Sequence, residues 1–285
     1  MLASRASSTA LCVAALRALE SASEAPLVVD GSAARLLPPL WSKAFAYAER
    51  SKLARAALYA LPDVLSPGRL QHIALRTKVI DDFVACELAL GATQLVLLGA
   101  GFDTRAYRLA AAARASVFEV DHPATQADKR ARGALLSPCA RAQHFIATDF
   151  EREGFAAPLV AAGFSPAARS VVLWEGVTMY LSLAAVSRTL AQIRGLCAPE
   201  TALLVTYHDA SGASGPASRS TALLARLLGE PFRSACSPRE MRALLGEHGF
   251  AVEGDTGRDD WARVSGRLAR GRAHERLVVA RPAGH

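Results

Sequence analysis

The sequence predicts an α/β fold: a mostly parallel, seven-stranded sheet with helices on both faces, preceded by a helical N-terminal segment. Three observations carry this. Short strand candidates recur from Gly91 onward, at 95–98 (an unbroken apolar run), 116–121, 144–147, 171–174 and 202–207. Continuous rather than alternating apolar strands indicate burial on both faces. The stretches between them, such as 122–133 and 183–196, are long enough for the helical crossovers that parallel pairing requires. Gly99-Ala100-Gly101 follows the first run directly, as a strand-to-helix turn.

In chain order, the first ninety residues read as helix. An Ala/Leu-rich segment spans 8–20, a second 41–59 and a long third 69–90, with Pro26, Pro38, Pro39, Pro62 and Pro67 between them. Trp41 and Tyr47 sit at helical spacing and are expected in the core rather than on a substrate wall. The flexible stretch 209–216 follows the fifth strand. Ser237-Pro238-Arg239-Glu240 is a capping box with proline in the first helical position, and Gly249 stands where that helix should be capped. Strand candidates at 250–254 and 275–280 complete the sheet. The division is therefore 1–90, a helical cap on the substrate side, and 91–285, the ligand-binding core.

Composition excludes several classes. With 51% hydrophobic and 21% charged residues, the chain buries too much apolar surface to be disordered. No window reaches the ~18 uninterrupted apolar residues of a membrane helix. The net charge is +7, but the arginines are scattered without a basic stripe or interleaved aromatics, so a nucleic-acid partner is not expected. A mildly basic surface still suits an anionic small substrate. The five cysteines, Cys12, Cys86, Cys139, Cys197 and Cys236, show no metal-ligand spacing and read as reduced thiols of a cytoplasmic protein. The apolar run 9–16 weakly resembles a signal peptide, but Arg17 and Glu20 follow at once and the helical reading is preferred.

The chemistry concentrates after the first strand, in Gly99-Ala100-Gly101-Phe102-Asp103-Thr104-Arg105. Glycines there allow a tight bend and close ligand approach, with helix N–H groups pointing at the ligand. Glu119 and Asp121 lie about 20 residues on, where a carboxylate can take both hydroxyls of a ribose. A dinucleotide turn needs a third glycine, where Thr104 stands, and Asp103 would repel a pyrophosphate. A phosphate-free nucleoside cofactor, S-adenosyl-L-methionine, fits better. Asp149 could accept from an adenine amine and Phe150 offer its backbone N–H. The same pair reads equally well as a helix cap and a core residue. Arg105 and Arg108 read as pins of the glycine turn or as surface residues.

Four segments, Arg76-Thr77-Lys78, Leu97–Leu109 (LLGAGFDTRAYRL), Phe118–Pro123 (FEVDHP) and Trp174–Leu181 (WEGVTMYL), resemble the leucine carboxyl methyltransferase superfamily. The similarity is greatest to its bacterial branch of S-adenosylmethionine-dependent methyltransferases, and runs over about residues 5–210. The resemblance implies a Rossmann-like class I methyltransferase fold. It also implies that Arg76 pairs with the cofactor carboxylate, that Gly99, Ala100 and Gly101 line its methionine portion, and that Asp121 holds the ribose, with Glu119 as rival. Asp149 and Phe150 would hold the adenine. Glu175 would meet the cofactor's amino-acid side or floor the methyl-transfer site. Asp30-Gly31-Ser32-Ala33 departs from the family's Asp-Pro-aromatic-Ala, which could alter how the cap meets substrate. Asp-Phe at 149–150 replaces the commoner Asp-Leu.

Tyr180 and His208, each following a strand, are the remaining catalytic candidates. His208 could be a base for a hydroxyl acceptor, although a solvated loop histidine is the preferred reading. Methyl transfer is an in-line displacement governed by alignment. A carboxylate acceptor is already ionised at neutral pH and needs no base. The expected activity is O-methylation, of a carboxylate or else a hydroxyl, on a small metabolite, without a metal. A protein C-terminal carboxylate is the alternative acceptor. The readings from other classes are an NAD-dependent dehydrogenase and a non-catalytic cofactor-binding protein.

Overall fold

A computed structural model describes residues 6–51, 53–54, 56–58, 60, 67–212, 225–226, 229–271 and 273–284. Residue 5, Tyr59, Pro62 and 213–216, which fall within segments of the sequence reading, lie outside the described residues. Five parallel strands, β1 (Gln94–Leu98), β2 (Ser116–Asp121), β3 (Ala142–Ala147), β4 (Ser170–Trp174) and β5 (Ala202–His208), are joined by the antiparallel β6 (Phe250–Gly257) and β7 (Glu275–Pro282). Their order is β3-β2-β1-β4-β5-β7-β6. All seven anticipated strands are present, several of them longer at one or both ends.

Every residue of β1, β2 and β4 is buried, including the polar Ser116, Glu119 and Asp121 of β2. The pleat sends alternate side chains to opposite faces. Val96, Leu98, Val172 and Leu203 meet Val186, Leu190 and Ile193 of a crossover helix, while Leu95, Leu97, Val171 and Leu204 meet Leu75, Ile80 and Val84 of the long N-terminal helix. The order reverses between β1 and β4, and such a switch point opens a crevice at the carboxyl ends of the strands.

Three helices precede β1: α1 (Ser8–Ser21), α2 (Pro39–Arg50) and α3 (Arg69–Ala89). The Ser7 hydroxyl caps α1 by accepting from the Ala10 amide at 3.0 Å. The third helix, assigned by sequence to the cap, forms a layer of the core and also reaches the crevice with its first two turns. On α2 the expectation fails. Trp41 is 37% exposed and Tyr47 66%, so neither is core, because this helix buries little beyond Ala48 and part of Phe45. The capping box of the helix Pro238–Glu247 forms as read, with Gly249 left-handed (φ +74°) just beyond it. Among the described residues no helix is long and apolar enough to cross a membrane.

The glycine turn is dictated by sterics. Gly99 (φ +67°) and Gly101 (φ +49°) are left-handed, and a Cβ on Gly99 would lie 2.2 Å from Cγ2 of Val177. Gly99→Ala should therefore cost on the order of 2–5 kcal/mol from strain and overpacking together. Urea denaturation of the two proteins measures this, and coincident curves would contradict it.

Candidate functional site

A cavity of about 650 Å³ opens at the carboxyl ends of β1, β2, β4 and β5, within the size range of small-molecule sites. The turn 99–103, Asp121, residues 148–152, residues 175–181 and His208 form its floor. The start of α1, the first turns of α3, residues 230–233 and residues 273–275 cover it. Among the described residues, seven carboxylates and five arginines line it, an excess of negative charge that favours a cationic ligand.

Asp121 is buried at the end of β2 and lines the cavity. Its oxygens accept from the Gly101 amide at 2.5 Å and the His122 amide at 2.6 Å. Burial outweighs these bonds and pushes its carboxyl up to about 6. Glu119 points elsewhere: it is paired with Lys129 at 2.5 Å and accepts from Gln143 at 2.8 Å, inside the protein and off the cavity. Two residues apart on β2, Glu119 and Asp121 share a face of the sheet, and it is position along the strand that separates them: only Asp121, the last residue, reaches the crevice.

The turn differs from expectation in one respect. The helix after it, Arg105–Arg108, is a single turn, and its first amide donates to Asp103 Oδ1 at 2.7 Å. The helix N–H groups are thus capped from within rather than held out to a ligand. The anion at this helix start is a side chain of the protein, and a diphosphate would meet a charge already seated there.

Arg76 lies on the cavity wall, buried. Its Nε donates to Glu175 at 2.8 Å and its Nη1 to both oxygens of Glu275, at 2.7 and 2.8 Å. Glu175 receives Arg105 Nη1 on its other oxygen at 2.8 Å. Burial is the largest influence on Glu175 and pulls its carboxyl upward, but Arg105 and Arg76 together leave it below the usual carboxylate range. Both oxygens accept from guanidinium groups, which suits an orienting acceptor and not a proton-abstracting base. Arg105 goes on to Asp81 (2.7 Å) and to Asp103; Arg108 also holds Asp81, at 2.5 Å. Both arginines pin the turn, and neither is a surface residue.

Asp30 joins this network. It accepts from Arg17 at 3.0 Å, Thr104 Oγ1 at 2.6 Å and the Ala33 amide at 3.0 Å, tying the N-terminal segment to the glycine turn. Nothing lies within 4 Å of the Cβ position of Gly31, so the departure at that position disturbs no packing. Glu230 accepts from the Ser7 hydroxyl (3.0 Å), the Ser8 amide (3.1 Å) and Thr9, which holds the start of α1 over the cavity.

Phe150 is the core residue that one reading expected, whereas Asp149 opens a turn and caps no helix, the next helix starting only at Ala156. Asp149 accepts from the Glu151 amide at 3.0 Å, Phe150 sits in the core beside Phe155, and both line the cavity. Tyr180 lines the cavity, burial raises its phenol to about 12, and it shares a hydrogen bond with Thr9. His208 is not a solvated loop residue: it ends β5, is half-buried, and faces both Phe232 and the cavity. Sequence reasoning missed His72, Asp81, Glu230 and Glu275. The available signal for His72 was its i,i+4 spacing to Arg76, which puts both on one helix face. For Glu275 it was a carboxylate opening the strand candidate 275–280, next to Arg276.

The leucine carboxyl methyltransferase family model matches residues 10–194, and the chain belongs to that family. A Mycobacterium bovis protein assigned as an S-adenosyl-L-methionine-dependent methyltransferase is 36% identical over 205 residues, covering 71% of this chain and 58% of its own. The chain thus spans under two thirds of the length of such mycobacterial relatives; for a Mycobacterium avium relative, also 36% identical, the shares are 74% and 70%. Among solved structures, a methyltransferase assigned in Thermobifida fusca superposes with a TM-score of 0.64 at 18% identity, over 99% of this chain and 97% of that one. An O-methyltransferase family protein from Burkholderia thailandensis gives 0.52 at 14% identity, over 76% and 60%. These likenesses establish the fold as that of class I methyltransferases.

Proposed function

We propose that the chain binds S-adenosyl-L-methionine in this cavity and transfers its methyl group to an oxygen of a small molecule. The observation that carries the reading is the pair of aspartates at the glycine turn: Asp103 occupies the helix start that a diphosphate would need, while Asp121 borders the cavity. Bound S-adenosylmethionine supplies an electrophilic methyl on a sulfonium. In this reading Asp121 accepts from the ribose hydroxyls, and Asp149 and the Phe150 amide meet the adenine. Gly99, Ala100 and Gly101 leave room for the methionine portion. Arg76, whose Nη2 has no hydrogen bond among the described residues, meets the carboxylate, and Glu175 orients Arg76. Residues 1–90 act as the substrate-side cap, with α3 shared between cap and core. Five free thiols are consistent with a reducing, cytoplasmic setting.

The acceleration comes from alignment in a covered cavity. A carboxylate acceptor, including a protein C-terminus, needs no base; a hydroxyl acceptor does. Calorimetry with S-adenosylhomocysteine and with NAD tests the cofactor class. Micromolar binding of the first and none of the second is expected, and the reverse would make the chain a dehydrogenase. Methyl transfer from labelled cofactor separates an enzyme from a non-catalytic binding protein.

A further inference from the structure

We infer that the methyl acceptor is a hydroxyl on a largely apolar molecule, and that the Nε2 atom of His208 takes its proton. The inference rests on the methyltransferase reading and names its substrate class.

Three observations converge on His208. The first is its position. It stands opposite Glu275 in the β5–β7 register, and Glu275 grips Arg76, which in turn grips Glu175 at the end of β4. Two residues earlier, the Thr206 hydroxyl accepts from the Gly176 amide at 2.7 Å. The histidine therefore adjoins the Arg76–Glu175 corner, where the amino-acid end of the cofactor belongs, and the sulfonium is attached to that end.

The second is its tautomer. Nδ1 lies 3.4 Å from the carbonyl oxygen of His274, an acceptor, so Nδ1 carries the hydrogen and Nε2 presents a lone pair. Nε2 has no hydrogen-bond partner among the described residues and, unlike Nδ1 of His72, is not sealed from the cavity. Burial also lowers the basicity of the ring, which keeps it neutral and ready to accept at neutral pH.

The third is the wall. Phe232 stands edge-on to the His208 ring with centroids 5.1 Å apart, and Tyr180 lies 5.5 Å from Phe232. With Met179 and Ile73 these residues line the cavity with apolar and aromatic surface. The surrounding charge does not single out an anionic acceptor: Glu175, Glu230 and Glu275 line the cavity alongside Arg17, Arg69, Arg76 and Arg233, and Arg17, Arg76 and Arg233 are ion-paired with carboxylates of the protein. The imidazolium formed at His208 would lie beside Glu275 and Asp209, which favour it.

The step balances simply. The acceptor O–H proton passes to Nε2, the O–CH3 bond forms, and the S–CH3 bond breaks with its electron pair remaining on sulfur. The products are a methyl ether, S-adenosylhomocysteine and an imidazolium that releases its proton to water.

The test has a spectroscopic and a chemical arm. Long-range nitrogen–proton NMR of the histidine rings, with His208 assigned by its loss in His208→Gln, should give a neutral Nδ1–H ring at pH 7. An Nε2–H tautomer or an imidazolium would overturn the proposal whatever the acceptor proves to be. In the second arm, tritium-labelled S-adenosylmethionine is incubated with the protein and a small-molecule extract, and the product is treated with mild alkali. Label released as methanol marks an ester and overturns the hydroxyl assignment while leaving the methyltransferase reading intact. Label that stays put, and that the methyl NMR shift of the purified product places on oxygen, marks the expected ether. Alkali-stable label on nitrogen, sulfur or carbon overturns the assignment as well. His208→Gln should lose about 10²–10⁴-fold in kcat with its S-adenosylhomocysteine affinity unchanged. Full activity in that variant overturns the role. Failure of the wild-type protein to bind S-adenosylhomocysteine is a separate result, and it would remove the underlying reading.

Discussion

Asp121→Ala should raise the Kd for S-adenosylhomocysteine by about 10²–10⁴-fold, the loss of two hydrogen bonds to a charged acceptor at about 1.5–3 kcal/mol each. The thermal midpoint should stay close to that of the wild type, because two opposing effects accompany the change. The Gly101 and His122 amides lose their acceptor, while the protein is relieved of a carboxylate that burial has pushed up to about 6. The same value sets a pH dependence. Ribose hydroxyls donate to the ionised carboxylate, so below about pH 6 the free protein must shed a proton before it can bind. Wild-type affinity should therefore fall as pH drops through 6, approaching tenfold per unit, and residual binding by Asp121→Ala should lack this limb. Calorimetry at several pH values reads both. An alanine variant with unaltered Kd would place the ribose elsewhere, and Glu119 could not inherit the role, since it is committed to Lys129.

The sheet was legible because its signal is local. A strand buried on both faces carries few polar residues, and β1 and β4 are apolar at all but their first position, while β2 is buried throughout and seats Ser116, Glu119 and Asp121 as well. The capping box at Ser237 is equally local, with both partners within four residues. The glycine turn was legible for the same reason, and both of its glycines are left-handed. What escaped depends on contacts across long stretches of chain. Glu275 reaches Arg76 over 199 residues and Glu230 reaches Ser8 over 222, and no periodicity announces such pairs. Trp41 and Tyr47 misled because aromatic spacing on a helix reports a face and not what covers it. Arg105 and Arg108 were left between anchor and surface because an arginine reads alike in both settings until its carboxylates are located.

Those arginines set the other large effect. Arg105→Ala should destabilise the protein by about 3–5 kcal/mol at neutral pH, the cost of leaving buried charge without its partner. Its three acceptors do not suffer equally. Asp81 keeps Arg108 and Glu175 keeps Arg76, whereas Asp103 loses its direct ion pair. In the wild type, burial is the largest influence on Asp103 and works to raise it. Arg105, with Arg17 and Lys129 further off, overcomes this and holds it well below the usual carboxylate range. A carboxyl lowered in the folded state contributes stability that is complete above its unfolded value of 3.8 and disappears only as pH falls toward the folded one. Without Arg105 the balance reverses: burial dominates, the folded carboxyl rises above its unfolded value, and ionising it opposes folding. The deficit of the variant should therefore be greatest at pH 7–8 and shrink toward pH 5, while Arg105→Lys, which keeps the charge but cannot fork between Asp81 and Glu175, should fall between the two proteins. Urea titrations at the two pH values measure it. A deficit that does not vary with pH would mean that lost packing, and not the stranded Asp103 carboxylate, is what the arginine prevents.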